Sequence, residues 1–401
     1  MTEIKKGYKK TEIGIIPEGW GVVNFKNFFS SVGAKKYQVQ KSNYLKNGDY
    51  PIIDQGQKFI VGYSNEKEKV YKNIDGVIIF GDHTRIIKFI DFNFVVGADG
   101  TQLLKSIDGI NQKFSYYVLS NKELTNLGYS RHFKLVKEMK FPLPPLKEQE
   151  EIADILSTAD EKIDAIALQI QKAETLKKGL LQKLLSEGIG HSEFKDSELG
   201  KIPENWEVVA LGNIGSFKNG INKNKEDFGF GNNFFNLLDV FGLTSIKNNP
   251  NGLVNITDKE KVDFDTQKGD TFFIRSSVKP SGVGLTAVLL FNPIDTVYSG
   301  FIIRFRDNNR FELNFKKYCF YDTEFRKRLL SKSSVSANTN INQEALKSLL
   351  IKLPPLEEQK QIADILSTAD EKLEVLRAKK EKYETLKKGL LQKLLSGEVR
   401  V

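Results

Sequence analysis

The 401-residue chain holds three histidines, His83, His132 and His191, and one cysteine, Cys319. No Cys-x-x-Cys or His-x-x-x-His spacing is present, so a zinc site built by the protein is not expected. The scattered histidines also make no nucleophile relay. There is no Gly-x-x-x-x-Gly-Lys-Ser/Thr loop to cradle a triphosphate and no Asn/Asp-Pro-Pro-Tyr/Phe loop to hold a flipped base. Nor is there a Pro-Asp followed by Glu-x-Lys to hold a nuclease metal. The residues assign no catalytic and no metal-binding set. What remains is hydrogen bonding and charge. His83, Thr84 and Arg85, then Arg131, His132 and Lys134, put donors and acceptors close together at the ends of apolar runs. Farther on, Arg275, Ser276, Lys279 and Ser281 flank a Pro/Gly loop, and Asn338, Asn340 and Asn342 form an amide-rich run. Such sets match the paired donors and acceptors on base edges in the major groove. Loop solvation, and turn formation for the asparagines, explain the same residues without a ligand. Lys35, Lys36 and the run Arg326 to Arg328 suit phosphates or solvent better than bases.

The elements that must position these residues come in two copies. LPPLKEQEEIADILSTADEK from Leu143 returns as LPPLEEQKQIADILSTADEK from Leu353, and residues 143–186 match 353–396 at 31 of 44 positions. A shorter echo precedes each copy: TEIGIIPEGWGVV from Thr11 and SELGKIPENWEVV from Ser197. It contains both tryptophans, Trp20 and Trp206, whose recurrence at equivalent places points to an architectural job. The stretches between the echoes share no comparable identity. The organisation read from this is an N-terminal segment 1–16, a variable domain 17–142, a constant helix 143–186, a linker 187–202, a second variable domain 203–352, and a constant helix with tail 353–401.

Each constant segment predicts a helix starting near Lys147 or Glu357, because the residue before a proline is driven to an extended conformation. Ile152, Leu156, Ala159, Ile163, Ile166, Ile170, Ala173, Leu176, Leu180 and Leu184 step by three and four, the spacing of a coiled-coil seam. The second copy repeats the stripe from Ile362 to Leu394 and interrupts it at Lys380. About 40 residues at about 1.5 Å each give rods of roughly 60 Å, minus any break at Gly179. Packing on its own domain is open to any one amphipathic helix, but two near-identical rods favour pairing with each other, antiparallel, about a pseudo-twofold axis. The variable domains read as mixed α and β. Strands are expected at GVIIF from Gly76, IIKFI from Ile86, FNFVV from Phe92, DTFFIRSS from Asp270, GLTAVLLF from Gly284 and SGFIIRF from Ser299. Helices are expected at FSYYVLS from Phe114 with the following LTNL, and at LNFKKYCFYDTEFRKRLLS from Leu313.

Hydrophobic residues at 40% and aromatics at 11% are enough for packed cores and exclude a largely disordered chain. The net charge of +9 is not evenly spread. Residues 17–142 carry 18 basic and 12 acidic groups, net +6, and 203–352 carry 20 and 16, net +4. The helix segments are near neutral, 6 against 8 and 9 against 8. Basic domains on neutral rods suit a polyanion gripped at two points, although an ordinary basic surface would look the same by charge alone. The basic N-terminus MTEIKKGYKK is followed by no apolar signal-like run, and no stretch approaches the roughly 20 apolar residues of a membrane span. With one cysteine, a reducing cytoplasmic setting is expected.

Pro17, Glu18 and Trp20 with Pro203, Glu204 and Trp206, the doubled Leu-Pro-Pro-Leu-x-Glu-Gln at 143 and 353, and the two helices together resemble the specificity subunit of a type I restriction-modification system. GDHTR at Gly81 with VVGADG at Val95, and YSRHFKLVKEMKFPLPPL from Tyr129, are similar to its target domains. The second domain lacks GDHTR. The resemblance implies a mixed α+β fold with two globular α/β target-recognition domains, joined by two long antiparallel coiled-coil helices in a pseudo-twofold internal repeat. It implies that each domain reads one half of a split double-stranded DNA site, that the paired helices set the spacer, and that the chain itself catalyses nothing. The implied partners are two methyltransferase subunits and the restriction translocase-endonuclease subunits. S-adenosylmethionine, ATP and Mg are used by those partners and no cofactor is bound by this chain. On this reading the methyltransferase dock falls on residues shared by both copies, above all Glu148, Gln149, Glu358 and Gln359, with Asp154, Asp160, Glu161, Lys177 and Lys178. Two alternatives stay open: a specificity subunit for a fused methyltransferase-nuclease, and a bivalent coiled-coil scaffold that binds no DNA.

Overall fold

The computed structural model describes residues 4–73, 75–97, 100–126, 128, 130–335 and 337–401. Ala98 and Asp99 of the VVGADG motif, Tyr129 at the head of the second motif, and Leu127 at the end of LTNL lie outside the described residues. The chain divides into two units, residues 1–168 with 378–401, and residues 169–377, so the division crosses both long helices.

The first unit opens with a hairpin, Tyr8–Thr11 against Gly14–Pro17, whose turn is closed by Thr11 Oγ1 donating to Gly14 O at 2.8 Å. Residues expected as a plain N-terminal segment are thus the first strands. Gly21–Asn24 then pairs with Lys140–Leu143, which closes the domain onto the Leu-Pro-Pro stretch. Between them lie two four-stranded sheets. One runs Phe29–Val32, Thr101–Ser106, Val77–Gly81, Ile87–Ile90, all antiparallel. The other runs Gly62–Ser64, Tyr50–Ile53, Phe94–Val96, Val70–Tyr71, with its central pair parallel. The apolar runs read as strands are strands because β-branched and aromatic residues fill both faces of a buried sheet. A helix at Gln112–Ser120, capped by the Asn111 side chain, covers the first sheet, while Leu124 to Asn126 are not helical. Phe28, Phe29, Phe114, Phe141 and Trp20 pack with Ile152 and Leu156 of the first long helix and Leu394 and Leu395 of the second.

The second unit repeats the plan. Its hairpin, Phe194–Ser197 against Gly200–Pro203, has the same turn bond from Ser197 Oγ to Gly200 O at 2.6 Å. The second half of the stretch expected as a linker is therefore mostly strand. Glu207–Ala210 pairs with Leu350–Leu353 and closes the domain. A five-stranded sheet, ordered Gly215–Asn219, Ile302–Asp307, Thr271–Ile274, Thr286–Leu289, Ser245–Ile246, carries the core, beside a three-stranded sheet built on Phe228–Phe235. The helix expected from Leu313 is two, Lys316–Cys319 and Thr323–Ser331, because Asp322 accepts from Phe325 N and starts a new helix.

The long helices run unbroken from Leu146 to Glu187, straight through Gly179, and from Leu356 to Leu395. Within each unit they lie antiparallel. In the second, Glu174 meets Arg377 and Lys177 meets Asp370; in the first, Ile152 and Leu156 share a core with Leu394 and Leu395. Lys380, the break in the stripe, reaches Glu384 one turn on at 3.0 Å. Among the described residues no helix is long and apolar enough to cross a membrane.

Candidate nucleic-acid interface

Two of the sequence-predicted groups in the first domain are brought together. The strands Val77–Gly81 and Ile87–Ile90 are joined by a tight turn in which Gly81 N donates to Ile86 O at 2.8 Å and Arg85 N to Gly81 O at 2.8 Å. Arg85 sits at φ 62°, a left-handed conformation that a non-glycine residue adopts at a cost of about 1 kcal/mol or more. A side chain at Gly81 would displace its neighbours, since a Cβ would stand 2.2 Å from Thr84 Oγ1 and 2.9 Å from Gln55 Cβ. The second group hangs from the same turn. Asp82 O accepts from His132 N at 2.8 Å, and Asp82 Oδ1 accepts from Phe133 N at 2.8 Å, which fixes the start of the Phe133–Glu138 helix. Thr84, Arg131 and Lys134 are exposed on this surface and His83 is half-buried. His132 corrects the expectation: it is fully buried and its Nδ1 faces Asp82 O at 3.0 Å, so it is a strut and offers nothing to a ligand. The Arg85 guanidinium donates to Leu124 O at 2.9 Å and serves mainly to tie down that loop. Lys35 and Lys36 are exposed on a separate 3-10 turn, Lys36 Nζ lying 4.7 Å from the centre of the Tyr37 ring.

In the second domain the structure joins the serine run to the asparagine run. Ser276–Ser277 pairs with Thr339–Asn340, which pairs in turn with Ser334–Val335, a small sheet with no counterpart among the described residues of the first domain. Arg275 Nη1 donates to Gly300 O at 3.2 Å. Lys279 and Ser281 stand exposed on the loop that follows. Asn338 is exposed, and Asn340 Nδ2 donates back to Asn338 O at 3.0 Å. Asn342 is a helix cap, accepting from Ala345 N at 2.8 Å, which removes its side-chain oxygen from a readout role. Arg326 and Arg328, expected at phosphates or solvent, are half-buried and donate to main-chain carbonyls: Arg326 to Ser281 O and Val283 O, Arg328 to Leu350 O. Burial pushes both guanidinium groups below their ordinary range.

Some candidate residues were not legible in the sequence. A cleft of about 590 Å³ in the second domain is lined by Asn222, Lys223, Asn236, Leu238 and Phe301, from segments about 80 residues apart. In the first domain Gln55 accepts from His83 N at 3.0 Å through its side chain and from Thr84 Oγ1 at 2.5 Å through its carbonyl. Only the turn-forming Asp-Gln-Gly-Gln order at 54–57 hinted at a built loop there.

Of the residues expected to dock a methyltransferase, Asp154, Glu161 and Lys178 are exposed, Asp160 and Lys177 are half-buried, and the four expected above all are not surface groups. Glu148, Gln149, Glu358 and Gln359 are all buried. Glu148 Oε2 accepts from Trp20 Nε1 at 2.9 Å and from Arg400 Nη2 at 2.9 Å. At the equivalent place Glu358 Oε2 accepts from Trp206 Nε1 at 2.8 Å, while its Oε1 meets His191 Nε2 at 2.7 Å and Ile189 N at 3.0 Å. Gln149 accepts from Asn111 N and donates to Pro144 O; Gln359 accepts from Glu312 N and donates to Pro354 O. These pairs lock each domain onto the head of its helix, and their recurrence reflects that shared internal job. A second doubled device lies one level along. Tyr117 OH donates to Asp160 at 2.8 Å and Lys387 pairs with the same carboxylate; Tyr318 OH donates to Asp370 at 2.8 Å and Lys177 pairs with it. Burial pushes both phenols above the ordinary tyrosine range, and the neighbouring aspartate adds to the shift.

Mounts that share their Trp–Glu and Tyr–Asp pairs and hold dissimilar, basic, amide- and hydroxyl-bearing surfaces agree with the comparison to known proteins. Residues 17–175 and 203–385 match the model of the type I restriction modification DNA specificity domain. The chain belongs to this family. Among relatives, the putative type I restriction enzyme MjaX specificity subunit of Methanocaldococcus jannaschii is 29% identical over 440 aligned positions, covering 99% of this chain and 97% of that protein. The MjaVIII specificity subunit of the same organism is 28% identical, covering 96% and 94%. The crystal structure of the S subunit of a type I restriction-modification system from M. genitalium shares the fold at TM-score 0.59 and 19% identity, over 94% of this chain and 96% of that one.

Proposed function

We propose that this chain is the DNA-sequence specificity subunit of a type I restriction-modification complex, each domain reading one half of a split site. The observation that carries the reading is the contrast between the halves. The mounts are equivalent residue by residue, Trp20–Glu148 and Trp206–Glu358, Tyr117–Asp160 and Tyr318–Asp370. The displayed surfaces differ: a Thr84–Arg131–Lys134 face in one domain, a Lys279–Ser281 loop beside an asparagine sheet in the other. A common mount with unlike readers is what recognition of two unlike half-sites requires.

The chain contributes no chemistry. Methylation by two partner subunits that use S-adenosylmethionine, and cleavage by a restriction subunit that uses ATP and Mg, take place on the site it selects. The helices act as the spacer and as the partners' seat. Support for the seat is a groove of about 760 Å³ in the second unit, lined by Ala173, Leu176, Leu180, Ile365, Ala369 and Leu376. Leu176 is 61% exposed there, and its equivalent Leu386 is 53% exposed, an apolar surface that a partner helix would cover.

The test is methylome sequencing of a methylation-free host that expresses the chain with its methyltransferase, the chain being deleted in the control. A split motif carrying methyladenine in both halves, present only with this chain, is the expected result. Unchanged methylation on deletion would overturn the reading.

A further inference from the structure

In the first domain a buried lysine has been given to a surface loop. Lys88 is 5% exposed, and its Nζ donates to Asp54 O at 2.9 Å and Lys58 O at 2.6 Å, the two ends of a five-residue turn. Burial pushes its ammonium pKa down, against the pull of Asp54. Burying an ammonium is costly unless its hydrogen bonds are met, and an apolar side chain would fill the same strand position with no such cost. The charge therefore serves the loop's shape. Asp54 Oδ1 completes that shape by accepting from Gly56 N at 2.7 Å.

The loop is joined to the turn already described. Gln55 holds His83 N and Thr84 Oγ1, and Gly100 closes on the same pair, since a Cβ on it would lie 2.5 Å from Gln55 Nε2. The loop's outer face is Gln57, Lys58, Phe59 and Ile60, all exposed. A rigid loop that offers an amide beside apolar groups has the chemistry to read an A·T pair: Gln pairs with adenine N6 and N7, and apolar atoms meet the thymine methyl. The second domain uses the same device. Arg326 Nη2 donates to Ser281 O at 3.2 Å and Val283 O at 2.8 Å, holding the loop that displays Lys279 and Ser281.

We propose that the 54–60 loop is a base-reading element of the first domain, in which Gln57 reads an A·T pair of the half-site and Lys88 is the residue that positions it. The proposal rests on the reading of the domains as DNA-recognition surfaces.

The experiment is methylome sequencing of the assembled methyltransferase carrying Gln57→Ala, Gln57→Arg, Lys88→Met or Lys88→Arg. Gln57→Ala should broaden one A·T position in one half of the motif, with roughly 10- to 100-fold less discrimination there, and leave the other half and the spacer unchanged. Gln57→Arg should shift that position toward G·C. Lys88→Met should broaden the same position and Lys88→Arg should restore it, a pattern that a role in bulk stability would not give. Methylation that persists on an unaltered motif in the Gln57 variants would overturn the proposal and leave the specificity reading intact. Changes spread over both halves would overturn it too. Should Lys88→Met abolish methylation altogether, the exposed Gln57 variants still decide. A wild-type complex that marks no split motif would instead sink the specificity reading itself.

Discussion

Replacing Glu148 by alanine should loosen the first domain from its helix by about 3 kcal/mol. Glu148 is buried and holds the indole N–H of Trp20, itself 1% exposed, at 2.9 Å. A buried donor left without an acceptor costs about 1–3 kcal/mol, and the lost bond is charge-assisted, which places the effect in the upper part of that range. The ion pair with Arg400 adds less than about 1 kcal/mol, because the Arg400 side chain is 48% exposed and screened by solvent. Native-state hydrogen exchange measures the opening free energy of the Gly21–Asn24 and Lys140–Leu143 strands that frame the site. The informative comparison is a cycle with Trp20→Phe, which removes the donor and keeps an aromatic ring. In that background Glu148→Ala should cost only about 1 kcal/mol, a coupling of about 2 kcal/mol. A single-variant loss below about 0.5 kcal/mol, or an equal loss with and without the indole N–H, would refute the clamp. Glu358→Ala is the mirror experiment at Trp206, and should cost at least as much because Glu358 also holds Ile189 N. A methyltransferase lost on mutating these glutamates would then report a loosened mount, not a removed docking contact.

Three further outcomes follow from the same geometry. Tyr117 and Tyr318 have folded pKa values above the ordinary 10.0, so folding retains protons that the unfolded chain releases. Their contribution is intact below about pH 10 and is lost as pH rises past it, by at most about 1.4 kcal/mol per pH unit for each tyrosine. Urea melts of Tyr117→Phe and Tyr318→Phe across that window should show a shallower alkaline decline, and an unchanged slope would remove the assignment. Leu176→Asp with Leu386→Asp should leave the free chain's stability within about 0.5 kcal/mol, since both are exposed, yet abolish co-purification of the methyltransferase. Retained co-purification would move the seat elsewhere. Seven residues inserted after Leu168 and after Arg377 lengthen both helices by about 10 Å and should widen the methylated motif's spacer by about three base pairs. A changed half-site in that variant would count against the helices as a ruler.

Much of the fold was legible because its signals are local. The 3-4 spacing from Ile152 to Leu184 and the proline stop at Leu-Pro-Pro-Leu define a helix from sequence alone, and the structure starts it at Leu146, one residue from the expected Lys147. GVIIF, IIKFI and FNFVV became strands for the same reason. The doubled segments showed that some task is done twice, although not which. Recurrence pointed to Glu148 and Gln149 as a partner's contacts, and the structure buries both, since recurrence cannot tell an inward side chain from an outward one on a helix head.

What only the tertiary structure decided are pairings between distant residues. Trp20 finds Glu148 across 128 positions, and Arg400 reaches the same carboxylate across 252. Ser276 meets Asn340, and Asp82 anchors both His132 and Phe133. Lys88 lay in a run that reads simply as a strand, and nothing in its neighbours shows that its ammonium turns inward to the carbonyls of Asp54 and Lys58. The physical reason is one of range. Periodicity and capping act over a few residues and are written in order along the chain. Whether a polar side chain meets solvent, a base or a buried carbonyl depends on which strand the sheet topology sets beside it, and that is settled only when the chain closes.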